Sequence, residues 1–453
     1  MDEILKSMKY LIFTLAIFGM IPAALWMTLK RQWLRPVAFA IPFLALVYDG
    51  TSINFFSHEF YRGTARGMEV SAVFLCAALL LVTLLLVRGR VQLLPDTGSK
   101  LYLVYFLLCM MSMLNAANVL FSFFEVWKMV MMCLVFLAVY HYLRLYNDID
   151  IFWYGMSAVI ILGFPTIILG YIAGVYQARG VFPHQNSMGM YMLLASTILL
   201  SRCFNRREFY RNIFFGGTFF IAAMSLTLTY SRGALLCLPI GCAITIGVSL
   251  IYNLDARKLR MLGVLGLGCL LLFLLFLPRV LDRFESAPSA SAETRINLAK
   301  AAKNMMVDSP ILGVGVNNWG IKINPPYKYS RHRDPLRGFT DETKDGIVET
   351  IYLLVGAECG VPAMLVLMGW FGYYWLTAFR LLRKLARTTY FYIPAGLLGG
   401  LTAIYLQSVL EWVLKQPVNF IELVMMFAIL AFINTHSRRL ISEETAAEKK
   451  ECS

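Results

Sequence analysis

Apolar runs close to 20 residues long recur from one end of this chain to the other, and few folds can accommodate them. Each run is long enough to cross the hydrocarbon core of a bilayer as a single helix. Of the 453 residues, 59% are hydrophobic and 15% are charged. A soluble domain carries about 25% charged residues, so lipid is the expected solvent. The runs lie near 10–29, 36–56, 68–87, 101–116, 122–143, 151–175, 187–203, 213–230, 233–250, 262–278, 350–376, 391–410 and 417–435. Pro22, Pro36 and Pro42 interrupt the first two. Tyr10 to Leu29 is too long for the core of a cleavable signal, and no small-residue cleavage site follows.

The net charge of +14 is scattered through short loops and forms no contiguous basic face, which argues against nucleic acid. Arg88 and Arg90, Arg202 to Arg211, Arg257 to Arg260, Arg380 to Arg387, and Arg438 with Arg439 fall on one side by parity. Lys30, Arg31 and Arg35 join them, so this side is read as cytoplasmic. Thirteen spans then put the amino terminus outside, and twelve follow if the first is only interfacial. The expected fold is an all-α polytopic membrane protein with 12–13 transmembrane helices and one large outer loop containing short helices. Its expected parts are a transmembrane bundle over 1–278, the loop over 279–349, further transmembrane helices over 350–436 and a cytoplasmic tail over 437–453. Within the loop, a helix is expected from about Ala292 to Val307, closed by Asp308-Ser309-Pro310. A glycine-punctuated run from Gly313 to Gly320 follows, and Lys322 to Gly346 reads as irregular. The tail after Ser442 reads as a short disordered end.

The informative residues are charges on the otherwise uncharged outer face. Arg179 lies in Gln177-Ala178-Arg179-Gly180-Val181-Phe182-Pro183-His184-Gln185-Asn186, and Arg232 lies where two apolar runs meet with almost no loop between them. An arginine this close to hydrocarbon is costly unless an anion accompanies it. Its planar fork suits phosphate oxygens and stays charged at any working pH. The plain alternative is an ion pair with Glu125, Glu349, Glu411 or another acid. Glu349 stands where the loop returns to the membrane; it is either a proton acceptor or a helix N-terminal acid favoured by the macrodipole. Glu411 and Lys415 fall between the last two spans, at a spacing that lets them pair with each other. His184 and His332 are outer residues, as is His58 near Arg62 and Arg66. No histidine or carboxylate spacing suits a metal, and no CxxC occurs. Cys76, Cys109, Cys133, Cys203, Cys237, Cys242 and Cys269 read as small packing residues in or beside apolar runs. Ser231 has no nucleophile-elbow setting.

Taken in order, four short motifs resemble the O-antigen ligase and polymerase superfamily. They are Arg-Gly-x-Phe-Pro-His-x-Asn at 179–186, Tyr-Ser-Arg-Gly-Ala at 230–234, Glu-Thr-Arg at 293–295 with Asp-Ser-Pro-Ile-Leu-Gly-Val-Gly at 308–315, and Glu-Thr-Ile-Tyr-Leu at 349–353 with Ala-Glu-Cys-Gly-Val-Pro at 357–362. The resemblance covers about 179–362 and implies a multi-pass glycosyltransferase of the bacterial inner membrane, with no metal or other cofactor and an active site facing the periplasm. The implied donor is a glycan on undecaprenyl pyrophosphate, and the implied acceptor is a hydroxyl of a lipid, a growing glycan or a protein. By resemblance, Arg232 and Arg295 bind the donor pyrophosphate, with Arg179 as a helper. Where members of the family carry a His-Asn pair whose His deprotonates the acceptor, this chain has Glu349-Thr350. The reading favoured here gives that task to Glu349; His332 or His184, or altered chemistry, are the alternatives. His184, Asn186, His332, Tyr352, Glu411 and Lys415 are the expected supporting residues. Two other functions fit a chain of this kind: a transporter or flippase of lipid-linked sugars, and a non-catalytic subunit of an exopolysaccharide assembly. A transporter should carry inverted repeats and midplane charges, and neither stands out.

Overall fold

The computed structural model describes residues 2–58, 61, 63–89, 91–95, 97–205, 208–252, 254–285, 289–324, 326–327, 329 and 346–452. It is an all-α polytopic membrane protein. Ten of its helical segments are long and apolar enough to cross a bilayer, and Ala72–Arg88 and Ser99–Asn115 are shorter apolar ones. The helices divide between two compact units: Met1–Tyr142 with Pro288–Phe371 and Ser408–Val424, and Leu143–Ala287 with Gly372–Gln407 and Met425–Ser453.

The first unit opens with α1 (Asp2–Leu29), which passes through Pro22 unbroken. The second expected span is broken, however. It consists of α2 (Leu34–Phe43), two 3₁₀ turns and α3 (Tyr48–Thr51), because Pro36 and Pro42 cannot donate to the helical ladder. An antiparallel ribbon of β1 (Ser52–Ser57) and β2 (Gly67–Ser71) follows, which the apolar pattern did not reveal. Beyond the strands, His58 N–H donates to Arg66 O at 2.8 Å. Next come α4 (Ala72–Arg88), which packs on α1 and α2, then α5 (Ser99–Ser112) and α6 (Val119–Tyr146). The expected loop helix is present as α12 (Ser289–Asp308), and the short α13 (Trp319–Lys322) follows the glycine run.

Backbone pairing seats that glycine run against α14 (Ile351–Leu385). Val314 N–H donates to Ala357 O and Gly315 N–H to Glu358 O, each at 2.9 Å, and Val361 N–H donates to Pro310 O at 2.8 Å. This pairing interrupts α14 at Gly360, where φ is +85°. A Cβ at Gly360 would strike Ile311 O, and one at Gly313 (φ +65°) would strike the backbone of Glu358. Only glycine meets both demands.

The second unit is built around α8 (Gln185–Arg202), whose residues from Ser187 onward are buried. It contacts α9 (Phe209–Leu228), α10 (Arg232–Tyr252) and α15 (Tyr392–Gln407). Because neighbouring helices shield it, α8 can carry Ser187, Ser196, Thr197 and Ser201 where a lipid-facing helix would be apolar. Gly399 of α15 lies so close to Gly241 O of α10 that no side chain fits between them, the small-residue packing that membrane helices use. Peripheral α11 (Ala256–Glu285) instead exposes Val264, Leu267, Leu271 and Leu275. It runs on past Arg279, where the sequence suggested the loop begins. α7 (Asp150–Ile172) supplies Asp150, which with Glu208 pairs the buried Arg202; the guanidinium lies 5.0 Å from the Tyr392 ring.

The carboxyl-terminal tail differs from expectation. Helix α16 (Pro417–Cys452) continues through it, because Arg439 pairs with Glu443 one turn on at 3.4 Å and Glu444 accepts the Thr389 N–H at 2.8 Å. Ala446, Ala447, Glu448 and Lys449 are also strong helix formers.

Candidate functional site

In the first unit, Arg295, Glu349 and Glu411 come together from three separate stretches of chain. Arg295 lies on the face of α12 that also carries Leu298, Ala302 and Met305, at spacings of three, four and three residues. Those side chains pack on Val314, Trp319, Val348, Leu354 and Ala357, so the apolar face of α12 decides where its guanidinium points. Glu349 stands two residues before α14, whose first turn closes with Leu354 N–H on Thr350 O at 3.0 Å. Glu411 belongs to the turn between α15 and α16, and Ile351 N–H donates to Ser408 O at 3.2 Å to join that turn to the start of α14.

Arg295 Nε forms an ion pair with Glu349 Oε2, and its Nη2 lies 3.4 Å from Glu411 Oε1. The Arg295 and Glu349 side chains are each 36% exposed, whereas Glu411 is 9% exposed. For Arg295, pairing with acids is therefore what the resting protein adopts. The Arg295 side chain nonetheless keeps part of its surface in solvent.

A second group of charges lies in the same unit and is fully enclosed. Glu125 and Lys128 of α6 pair at 2.7 Å, one turn apart. Lys415 Nζ is 3.1 Å from Glu125 and 3.8 Å from Glu358 of α14. Lys128 also donates to Thr64 O at 3.2 Å and Lys415 O at 3.1 Å, and Thr64 Oγ1 donates to Glu125 at 2.7 Å. Burial alone would lower the proton affinity of Lys415, but Glu125 and then Glu358 outweigh it and hold its pKa above the ordinary lysine value. The spacing of Glu411 and Lys415 suggested a pair within one helical turn. Instead the two point apart, because 413–415 is a 3₁₀ turn and each finds a different partner.

Asn317 closes this core with a left-handed backbone (φ +55°). Its Oδ1 accepts from Thr64 N–H at 2.8 Å, and its Nδ2 donates to Ala65 O at 2.8 Å and Phe121 O at 2.7 Å. Trp319 N–H donates to Glu358 at 3.2 Å. Lys128, Glu358 and Asn317 were not singled out in the sequence. The usable signal was a charge inside an apolar run.

The other expected residues lie in the second unit. His184 caps α8, its Nδ1 accepting the Asn186 N–H at 3.2 Å, which requires the neutral ring. Desolvation and the nearby Arg179 both push its pKa down, in keeping with that role. Arg179 is exposed and donates to Pro183 O at 3.3 Å. The loop that holds these residues is joined to the turn before α10 by Ala178 N–H on Leu228 O at 3.1 Å. That turn places Tyr230 in the left-handed region (φ +47°) and sets Arg232 as the first residue of α10, half-buried. Among the described residues no anion pairs with Arg232. A cation at the positive end of a 21-residue helix is electrostatically incomplete. Arg279, read from the sequence as the start of the loop, lies 4.7 Å from the Tyr171 ring and beside Tyr230.

Tyr352 is half-buried in the first turn of α14. His332 lies outside the described residues, among which no three His, Cys, Asp or Glu side chains form a metal-holding group. Compared with known families, residues 217–368 match the model described as O-antigen ligase, a stretch that includes Arg232, Arg295 and Glu349. No curated protein matches the chain.

Proposed function

We propose, from the match of residues 217–368 to the family model described as O-antigen ligase, that this chain transfers a glycan from undecaprenyl pyrophosphate to a hydroxyl acceptor at the periplasmic face of the inner membrane. The observation that carries the reading is a half-exposed arginine, Arg295, held against a half-exposed carboxylate, Glu349, inside the family-matched stretch. Arg232, a second arginine of that stretch with no paired anion among the described residues, supports it. Arg179 lies on the loop bonded to the turn before Arg232.

In the proposed reaction Glu349 accepts the proton of the acceptor hydroxyl. The oxygen attacks the anomeric carbon as the bond from that carbon to the phosphate oxygen breaks, and undecaprenyl pyrophosphate leaves. Arg232 and Arg295 neutralise the charge that grows on the leaving diphosphate, with Arg179 assisting. Attack opposite the departing phosphate inverts the anomeric centre. Scission of the activated bond drives the transfer. Glu411 steadies Arg295, Lys415 holds the turn that carries Glu411, His184 and Asn186 shape the Arg179 loop, and Tyr352 borders Glu349. His332 is a further candidate proton acceptor.

The test is a deletion strain complemented with the wild-type gene or with Arg232→Ala, Arg295→Ala or Glu349→Gln, its surface glycans resolved by chain length. Loss of all polymer on lipid A identifies a ligase. Single-repeat caps, or lost exopolysaccharide, identify a polymerase. Full glycan assembly by well-expressed variants would overturn the proposal and favour a transport or scaffold role.

A further inference from the structure

The second unit holds a cavity of about 340 Å³ that the proposed reaction does not use. It lies where α8 and α10 end, where α11 begins, and along the 386–392 connection from α14 to α15. The charge pattern reads this end of the unit as cytoplasmic, which puts the cavity at the level of lipid headgroups. Its volume is that of a small-molecule site. Lys258, Arg387, Thr389 and Glu444 line it together with the rings of Tyr252 and Phe391.

Two charges of opposite sign line this space without pairing. Arg387 is exposed and has no anionic partner among the described residues. Glu444 of α16 is held by one oxygen: Oε1 accepts the Thr389 N–H at 2.8 Å, while Oε2 is buried and receives no hydrogen bond among the described residues. Thr389 stands two residues after Arg387, so one short connection both carries the arginine and anchors the carboxylate. A bare anion drawn to Arg387 would meet Glu444, and a bare cation drawn to Glu444 would meet Arg387. A ligand bearing both signs satisfies the two together, and an N–H donor would relieve the cost of the unpaired buried oxygen. Lys258, 5% exposed, adds to the positive side. It lies in the first turn of α11, where the helix dipole also favours an anion, and its Nζ is 3.4 Å from Ser249 O at the same cavity.

We propose that this cavity binds a phosphate ester carrying a primary ammonium, the chemistry shared by an ethanolamine phospholipid headgroup and its free soluble ester. The phosphate oxygens go to the guanidinium fork of Arg387 and to Lys258. The ammonium goes to Glu444 Oε2. Tyr252 and Phe391, whose ring centroids are 5.4 Å apart, cover the carbons between the two charges. A quaternary ammonium has no N–H to give Oε2, so the site discriminates against choline esters. Bound this way, the ligand bridges the α14–α15 connection to α16.

The experiment uses the full-length protein, washed free of lipid in detergent, and follows binding by isothermal calorimetry. O-phosphoethanolamine should bind about tenfold more tightly than phosphocholine or inorganic phosphate. Glu444→Gln keeps an acceptor for the Thr389 N–H and should cut that preference to about twofold or less. Arg387→Gln should weaken all three ligands by about tenfold. Lys384→Gln, a change at an exposed lysine outside the cavity, should leave every affinity in place and so controls for surface charge. Dihexanoyl phosphatidylethanolamine separates the two sources. Tighter binding than the soluble ester assigns the cavity to a lipid, equal or weaker binding assigns it to a soluble ester, and either supports the proposed chemistry. Failure of both ethanolamine ligands to bind, equal binding of phosphocholine or inorganic phosphate, or full preference in Glu444→Gln would overturn the proposal. Should either cavity variant fold poorly, the ranking of the three ligands on wild type decides by itself.

Discussion

The two ion clusters of the first unit are made of the same side-chain types, yet they are built in opposite ways. Around Lys415, two lysines meet two glutamates, their exposures are 8% or below, and Thr64 and Trp319 supply further hydrogen bonds to the carboxylates. Around Arg295, the guanidinium meets two carboxylates among the described residues, and two of the three side chains are 36% exposed. Charges that cancel within an enclosed cluster can be buried as a lock. A set whose side chains are partly exposed can exchange partners. The two clusters are linked by only a few residues, since Glu411 and Lys415 lie on one turn. The closed cluster can therefore position the open one.

Breaking the closed cluster should have the largest effect. Lys415→Met leaves two enclosed carboxylates with Lys128 as their one remaining lysine in the cluster, at a cost of about 3–5 kcal/mol, and should sharply lower the yield and thermal midpoint of detergent-purified protein. Adding Glu125→Gln should recover part of the loss. If Lys415→Met melts like wild type, the contrast between lock and open site is wrong. Arg295→Ala should do the reverse, cutting glycan assembly by about 100-fold while leaving the melting curve close to wild type. A large drop in melting temperature there would make Arg295 structural.

Smaller changes sharpen the comparison. Glu411→Gln keeps the shape but weakens the hold on Arg295, and should slow transfer by about fivefold, an effect of roughly 1 kcal/mol. The smallest expected effect concerns pH and His184. Its folded pKa is depressed, so the stability tied to its cap is present above the unfolded value near 6.5 and is lost as pH falls through the folded value. Wild type should lose about 1 kcal/mol or less on acidification relative to His184→Asn, which caps without titrating. Parallel melting curves from pH 7.5 to 5 would remove His184 from this role.

Most of the helical framework could be read in advance, because a bilayer imposes a local rule on each segment. Even so, 187–203 was read as an apolar run, whereas α8 is not among the ten segments long and apolar enough to cross a bilayer; its polar residues are tolerated because other helices enclose it. The ribbon at 52–71 went unseen because two short strands supplied by the ends of apolar runs resemble the runs themselves. The continued α16 was misread because a charged, alanine-rich end has a disordered composition until its i,i+4 pair and its bond to Thr389 are in view. At the site, Glu349 and Glu411 were legible as charges read to the outer face, and Arg295 through the resemblance of its motif. Their pairing was not, and Lys415 was assigned the wrong partner.

By itself, the sequence determined the solvent, the helical spans and the kinds of charged group available for chemistry. Each of these depends on runs of some 20 neighbouring residues meeting lipid or water. Which acid answers which base was decided only by the tertiary structure. Arg295 and Glu411 are 116 residues apart in the chain, and Lys128 and Lys415 are 287 apart. Distances of that kind are set by helix packing and by glycines such as Gly313 and Gly360, which let one backbone lie against another.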